Sequence, residues 1–257
     1  MRVVRYRGQD GTPVWGELGT DDVIRPLAAP PFGQYPVDDV PMEFGEAALL
    51  APVIPRTIVC VGRNYAAHAA EFNNDVPTRP LLFMKPASTV VGPGAAVRYP
   101  PESERVDPEA ELAVVIGRPA FQVSAADAPS VIGGYTCAND VTARDLQKTD
   151  PGQQWTRGKG FATFCPVGPW IETELDPTDV EVTCAVNGEV TQRGRTRDLI
   201  FDLPFLIEYV TAFTRLLPGD IILTGTPEGV SPVRPGDKVE VSASGLGTLT
   251  NTIETAE

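Results

Sequence analysis

Two acidic side chains, Glu109 and Glu111, stand two residues apart in the run Pro108-Glu109-Ala110-Glu111-Leu112-Ala113-Val114-Val115-Ile116-Gly117. On a strand they point to the same face, so two carboxylates lie side by side and their repulsion calls for a cation between them. Ala110, Leu112, Val114 and Ile116 alternate with them and are all apolar, which predicts a strand anchored in a core with its carboxylate pair at the rim. A Glu-x-Glu on its own fits a solvated strand end as well. A third carboxylate, Asp140, follows the strand-like Gly134-Tyr135-Thr136-Cys137 at an apolar-to-polar transition. Three carboxylates with no Cys or His nearby form an all-oxygen set, which suits Mg²⁺ or Mn²⁺ and disfavours zinc or copper. A dication leaves one negative charge on the trio, and a nearby lysine would neutralise it so that an anionic substrate could approach.

The chain has one histidine, His68, and Glu71 follows three residues later in Asn64-Tyr65-Ala66-Ala67-His68-Ala69-Ala70-Glu71-Phe72. The alanines favour a helix and Asn64 is a suitable cap, so His68 and Glu71 share a face. Little beyond Tyr65 and Phe72 is available to bury, and the helix runs into the polar turn Asn73-Asn74-Asp75-Val76-Pro77. A segment of this kind depends on outside contacts for its order, as a lid does. A His oriented by a carboxylate serves as a general base, although the same pair also fits an exposed helical ion pair.

The elements that must hold these groups are mostly short strands. The 257 residues include 24 glycines and 26 prolines, about a fifth of the chain against an average near 12%, which excludes a helical bundle. Strand patterns occur at Arg2 to Tyr6, Val14 to Leu18, Thr57 to Gly62, Leu81 to Lys85, Glu111 to Ile116, Val180 to Asn187, Ile221 to Thr224 and Lys238 to Ser242. Helices are expected at Asn64 to Phe72, Ser124 to Val131 and Leu203 to Phe213, with a turn near Arg144. Residues 1–55, with the proline-rich Ala29-Pro30-Pro31-Phe32-Gly33, read as a small β-rich N-terminal domain, and residues 56–257 as a larger, mainly β domain.

Charge and composition narrow the partners. With 34 acidic and 21 basic residues the chain carries −13 at pH 7, which argues against unspecific binding to nucleic acid or to an anionic membrane. No apolar run approaches the ~18 residues of a membrane span, and the start lacks the apolar stretch of a secretory signal, so a cytoplasmic setting is expected. Cys60, Cys137, Cys165 and Cys184 form no Cys-x-x-Cys pair and sit among apolar residues, as buried reduced thiols do.

Six motifs, taken in order, resemble the fumarylacetoacetate hydrolase family over residues 57–257. They are Gly62-Arg63-Asn64-Tyr65, Leu82-Phe83-Met84-Lys85-Pro86, the Glu109 to Gly117 run, Asn139-Asp140-Val141-Thr142-Ala143-Arg144-Asp145, Val186-Asn187-Gly188-Glu189 and Leu217-Pro218-Gly219-Asp220-Ile221-Ile222-Leu223-Thr224-Gly225-Thr226-Pro227. The resemblance implies an α+β, mainly β fold: a mixed β-sandwich roll with a metal at its mouth, behind a small N-terminal domain and in a homodimer. It assigns Glu109, Glu111 and Asp140 as Mg²⁺ or Mn²⁺ ligands and Lys159 as the active-site lysine. It makes His68 and Glu71 a water-activating lid dyad, as in the acylpyruvase-like branch, and Gln147 a substrate-positioning residue. Arg63, Lys85, Arg144 and Thr226 match residues that line the site. The family often carries an Asp three residues after its lysine; this chain has Ala162 there and lacks that support.

The activity implied first is cleavage of the C3–C4 bond of an acylpyruvate to pyruvate and a carboxylic acid, with oxaloacetate decarboxylation as a second activity. Oxaloacetate decarboxylation alone comes next, and then isomerisation or decarboxylation of hydroxymuconate-type diacids. A non-catalytic protein holding a cation or a small diacid is the alternative from another class, and the joint presence of Lys159, His68 and Glu71 argues against it.

Overall fold

Short apolar runs broken by Gly, Pro and Asp turns favour strands over helices, and the computed structural model is built mostly from strands. It describes residues 1–27, 30–31, 42–46, 48–72, 74–149 and 153–256. Within the proline-rich stretch only Pro30 and Pro31 are among these, and Asn73 of the polar turn lies outside them.

The larger sheet runs, in its central part, through strands Cys165–Glu172, Ile132–Asn139, Ala110–Ile116, Ile221–Leu223, Ile58–Gly62 and Leu81–Lys85. Ala110–Ile116 pairs antiparallel with both neighbours, in register Ala110 to Asn139 and Ala113 to Leu223. Ile221–Leu223 lies parallel to Ile58–Gly62, which pairs antiparallel with Leu81–Lys85. Residues of the front segment extend this sheet: Arg2–Arg7 pairs with Cys165–Glu172, Arg2 opposite Glu172. A five-stranded sheet, ordered Glu189–Arg195, Glu181–Val186, Lys238–Ala243, Gly247–Thr255 and Ala96–Tyr99, supplies the second layer.

The central strand Ala110–Ile116 is buried along its whole length. Leu112, Val114 and Ile116 pack into the principal core with Val182, Val241 and Leu249 of the second sheet. Ala113 and Val115 face a second cluster that includes Val3, Ile58 and Val167. A strand with both faces in a core reads as a continuous apolar run, as Leu112 to Ile116 does.

Helices are few and short. The helix Leu203–Thr211 buries Leu203, Leu206, Ile207 and Val210, the 3.6-residue stripe of the sequence, and Asp202 caps it by accepting the Phe205 N–H at 2.9 Å. Ala125–Val131 winds as a 3₁₀ helix, with Pro129 removing a backbone donor from its interior. Arg144–Thr149 extends the expected turn into an α-helix, and Trp155–Lys159 forms a further helix that the sequence pattern did not mark.

Candidate active site

Glu109 directly precedes the central strand and Asp140 directly follows Ile132–Asn139, so the register between these strands brings the two together. The Glu109 N–H donates to Asn139 Oδ1 at 2.9 Å, and the Asp140 N–H donates to the Glu109 carbonyl at 2.9 Å. Glu111 follows on the strand. One carboxylate oxygen from each of Glu109, Glu111 and Asp140 lies within 4.8 Å of the others. All three are buried, Glu111 to 2% exposure, on a strand covered on both faces, so the solvated strand end that a Glu-x-Glu also fits is not what forms.

Three cations compensate two of the acids. Lys159 Nζ donates to Glu109 Oε2 at 2.8 Å, Asp140 Oδ2 at 2.7 Å and the Thr142 hydroxyl at 2.7 Å. Lys85 Nζ donates to Asp140 Oδ1 at 2.5 Å and to the Val141 carbonyl at 3.1 Å. Arg144 donates from Nη2 to Glu109, from Nη1 to Gln147 Oε1 at 2.8 Å and from Nε to Asp107 Oδ2 at 2.9 Å. Burial alone would raise the Glu109 carboxyl, but Lys159 and Arg144 hold it below the ordinary carboxylate range. Lys159 loses solvation by burial and regains more from Asp140 and Glu109, so its ammonium is held above its usual value.

Glu111 is the acid left unrelieved. Among the described residues it accepts one hydrogen bond, from the Gly225 N–H at 2.6 Å. Burial, then Asp140 and Glu109, push its carboxyl well above the ordinary range. Gly225 approaches because it has no side chain: its φ is +104°, and a Cβ there would come within 2.7 Å of Asn64 Cβ. A buried, all-oxygen trio with one uncompensated carboxylate fits a hard divalent cation.

His68 lies on the short helix Ala66–Glu71 and is buried. Its Nδ1 stands 3.1 Å from Glu71 Oε2, while Glu71 Oε1 accepts the Gly229 N–H at 3.2 Å. Burial, the leading influence, lowers the imidazole below its ordinary value of 6.5. The pair is thus not the fully solvated one that the spacing also allowed, since His68 is buried while only Glu71 reaches solvent. Asn64 is corrected too, because Tyr65 is the cap residue and no side chain caps this helix. Asn64 is buried, donating to the Phe201 and Thr224 carbonyls at 3.0 and 2.8 Å and accepting the Phe201 N–H at 2.8 Å, so it ties the helix entrance to two distant loops.

A cavity of about 230 Å³ opens onto this constellation. Glu109, Glu111, Asp140, Lys159, His68, Gln147, Arg144, Arg63 and Thr226 all line it. Lys85 and Glu71 stand behind, holding Asp140 and His68 respectively. Thr226 is fixed by donating to the Ala110 carbonyl at 2.9 Å and accepting from Gln192 Nε2 at 2.9 Å. Arg63 has a positive φ of 57° and stands 5.9 Å over the Trp155 ring. Sequence reasoning missed Asp107, Thr142, Lys148, Phe83 and Trp155. Asp107 is fully buried between Arg144 and Arg105, and it shares the alternation of Glu109 and Glu111, a signal that was available.

The mixed β roll with this acid-and-histidine cavity defines the class, and comparison with known proteins gives the family. The fumarylacetoacetate (FAA) hydrolase C-terminal family matches residues 57–254, and an N-terminal family described as Rv2993c-like matches residues 1–52. The chain belongs to the fumarylacetoacetate hydrolase family. It is 45% identical to Protein Rv2993c of Mycobacterium tuberculosis, across 98% of each chain. It is 45% identical to a human protein named oxaloacetate tautomerase FAHD2A, mitochondrial, over 93% of this chain and 77% of that one. A crystal structure titled 5-carboxymethyl-2-hydroxymuconate delta-isomerase from Mycobacterium smegmatis superposes with a TM-score of 0.91 at 44% identity, covering all of both chains. Among the described residues no helix is long and apolar enough to cross a membrane.

Proposed function

We propose that this chain is a divalent-cation-dependent enzyme that moves protons at C3 of small 2-oxo acids, with keto–enol interconversion of oxaloacetate-type diacids as its leading reaction. The observation that carries the reading is one cavity lined by both the buried Glu109, Glu111 and Asp140 trio and a buried His68 engaged by Glu71. The likeness to proteins named as a tautomerase and an isomerase supports this order over the hydrolase reading placed first on sequence. Glu109, Glu111 and Asp140 would hold Mg²⁺ or Mn²⁺, which supplies a Lewis acid for the 2-oxo carbonyl.

The remaining chemistry belongs to the chain. With the Nδ1 proton donated to Glu71, Nε2 of His68 is the free base. Nε2 takes one C3 proton, the C–H electron pair becomes the C2–C3 double bond, and the C2 oxygen takes up negative charge. Return of the proton to that oxygen gives the enol, and return to C3 gives the ketone. Lys159 and Arg144, already fixed by buried partners, stabilise the developing charge without reorganising. Arg144 occupies the Gln147 carbonyl, which leaves the Gln147 amide N–H groups to donate to a substrate carboxylate.

Acylpyruvate cleavage is the second reading, favoured by the aromatic walls Phe72, Phe83 and Trp155, which suit an acyl tail. Here Nε2 deprotonates water, the water oxygen adds to C4, and collapse of the adduct breaks C3–C4 to give a carboxylic acid and the pyruvate enolate. Decarboxylation of oxaloacetate passes through the same enolate with CO₂ as the leaving group. A cytoplasmic homodimer is part of the proposal, and the four buried free thiols accord with a reducing compartment. The test is the rate of enol-to-keto conversion of oxaloacetate beside product release from acetylpyruvate, each with Mg²⁺, with Mn²⁺ and with chelator. Faster metal-dependent ketonisation than acylpyruvate cleavage supports the leading reading; the reverse order supports the second, and no turnover of either contradicts both.

A further inference from the structure

Arg144, Gln147 and Lys148 occupy positions i, i+3 and i+4 of the helix Arg144–Thr149, and all three line the cavity. Arg144 is neutralised by Asp107 and Glu109, Lys159 by Glu109 and Asp140, and Lys85 by Asp140. Lys148 has no carboxylate partner among the described residues. Its Nζ sits 3.7 Å from the centre of the Phe72 ring, and that ring meets His68 edge-on at 5.3 Å. This cation therefore shares the Phe72 ring, beside His68, with Arg144, whose guanidinium carbon lies 4.9 Å from the ring centre but whose charge Asp107 and Glu109 already hold. A substrate anchored at the trio with C3 facing His68 would run its C4 substituent along the Phe72 wall, which Lys148 borders. Partial burial, then Arg144 and Arg105, disfavour the charged lysine and outweigh the opposing pull of Asp107 and Glu71, a cost that an arriving anion would relieve.

We propose that Lys148 receives the distal carboxylate of a 2-oxo diacid and so selects dicarboxylates over 2-oxo acids with a neutral tail. The assignment rests on the C3 proton-transfer reading for the direction of the substrate. Arg63, the cavity's other cation without an ion pair among the described residues, stands against Trp155 rather than against the Phe72 and His68 wall.

The test uses malate and 2-hydroxybutyrate, an unreactive pair that differs in the distal carboxylate. Their binding to Mg²⁺-loaded native protein and to Lys148→Met is measured by calorimetry, beside steady-state kinetics on oxaloacetate and acetylpyruvate. Native protein is expected to prefer malate by about tenfold, as one charge-assisted contact at a partly exposed site provides. Lys148→Met should abolish that preference, leave 2-hydroxybutyrate affinity unchanged, and raise KM for oxaloacetate with kcat retained. The assignment is overturned if native protein shows no preference, if the variant keeps it, or if both ligands weaken alike. A preference that depends on Lys148 in a protein that turns over neither 2-oxo acid sinks the reaction reading and leaves the diacid contact standing.

Discussion

Asp107 shows how much of the site is held from behind. Fully buried, it accepts from Arg144 Nε and Arg105 Nε at 2.9 Å each, and Arg144 in turn orients Gln147 and grips Glu109. Removing one partner of a buried ion pair strands the other, so Asp107→Ala should cost about 3 to 5 kcal/mol in urea unfolding. Asp107→Asn should retain more stability and raise KM through a displaced Gln147. A separate consequence concerns His68. Its unfolded imidazole protonates near 6.5 and the folded one only at lower pH, so the unfolded state binds more protons in that window and stability falls as pH drops below 6.5. The base form of His68 persists below 6.5 for the same reason, which places the acid limb of kcat/KM there. Stability and rate profiles of native protein and His68→Gln, recorded side by side, check both: the variant should lack this component of the acid loss.

At the scale of elements, the alternation around Ala110–Ile116 and the stripe of Leu203–Thr211 were legible because periodicity reports directly on what a strand or helix buries. The helix Trp155–Lys159, which carries Lys159, was not. Its five residues hold no apolar stripe, and its place depends on packing against Arg144–Thr149, a contact that no local pattern records. Gly158 makes that contact possible, since a Cβ there would lie 2.8 Å from the Gln147 backbone nitrogen and 2.9 Å from its Cα. Both atoms are backbone and cannot turn aside. Gly158→Ala should therefore destabilise by ~1 to 3 kcal/mol and shift Lys159 away from Glu109 and Asp140. Thermal unfolding would show the first effect and a larger proportional loss of kcat the second. The burial of His68 was equally illegible from sequence, because the groups around it, Phe72 and Glu71 aside, come from distant segments, Glu109 and Arg144 among them.

For the whole molecule, folding concentrates buried charge at one end of the two-sheet core and leaves Glu111 uncompensated there. A ligand bound by the native state alone stabilises it, by about 2.7 kcal/mol at a hundred times its dissociation constant. For a chain of this size that corresponds to a rise in Tm of roughly 5 to 10 °C. Mg²⁺ or Mn²⁺ should produce such a rise in native protein, and Glu111→Gln should lose most of it. An equal rise in the variant would place the cation elsewhere. The oxygen trio and the order of motifs were readable along the chain, whereas the pairing of those acids with Lys85, Lys159 and Arg144 emerged only from the fold.

The most direct test of the central claim is exchange of the C3 protons of oxaloacetate in D₂O, followed by NMR with Mg²⁺ for native protein and His68→Ala. Proton transfer by His68 predicts exchange well above the protein-free rate, abolished by chelator and reduced at least ~100-fold in the variant, in keeping with the loss of a general base. Exchange no faster than in the protein-free solution, or equal in native protein and His68→Ala, would contradict it.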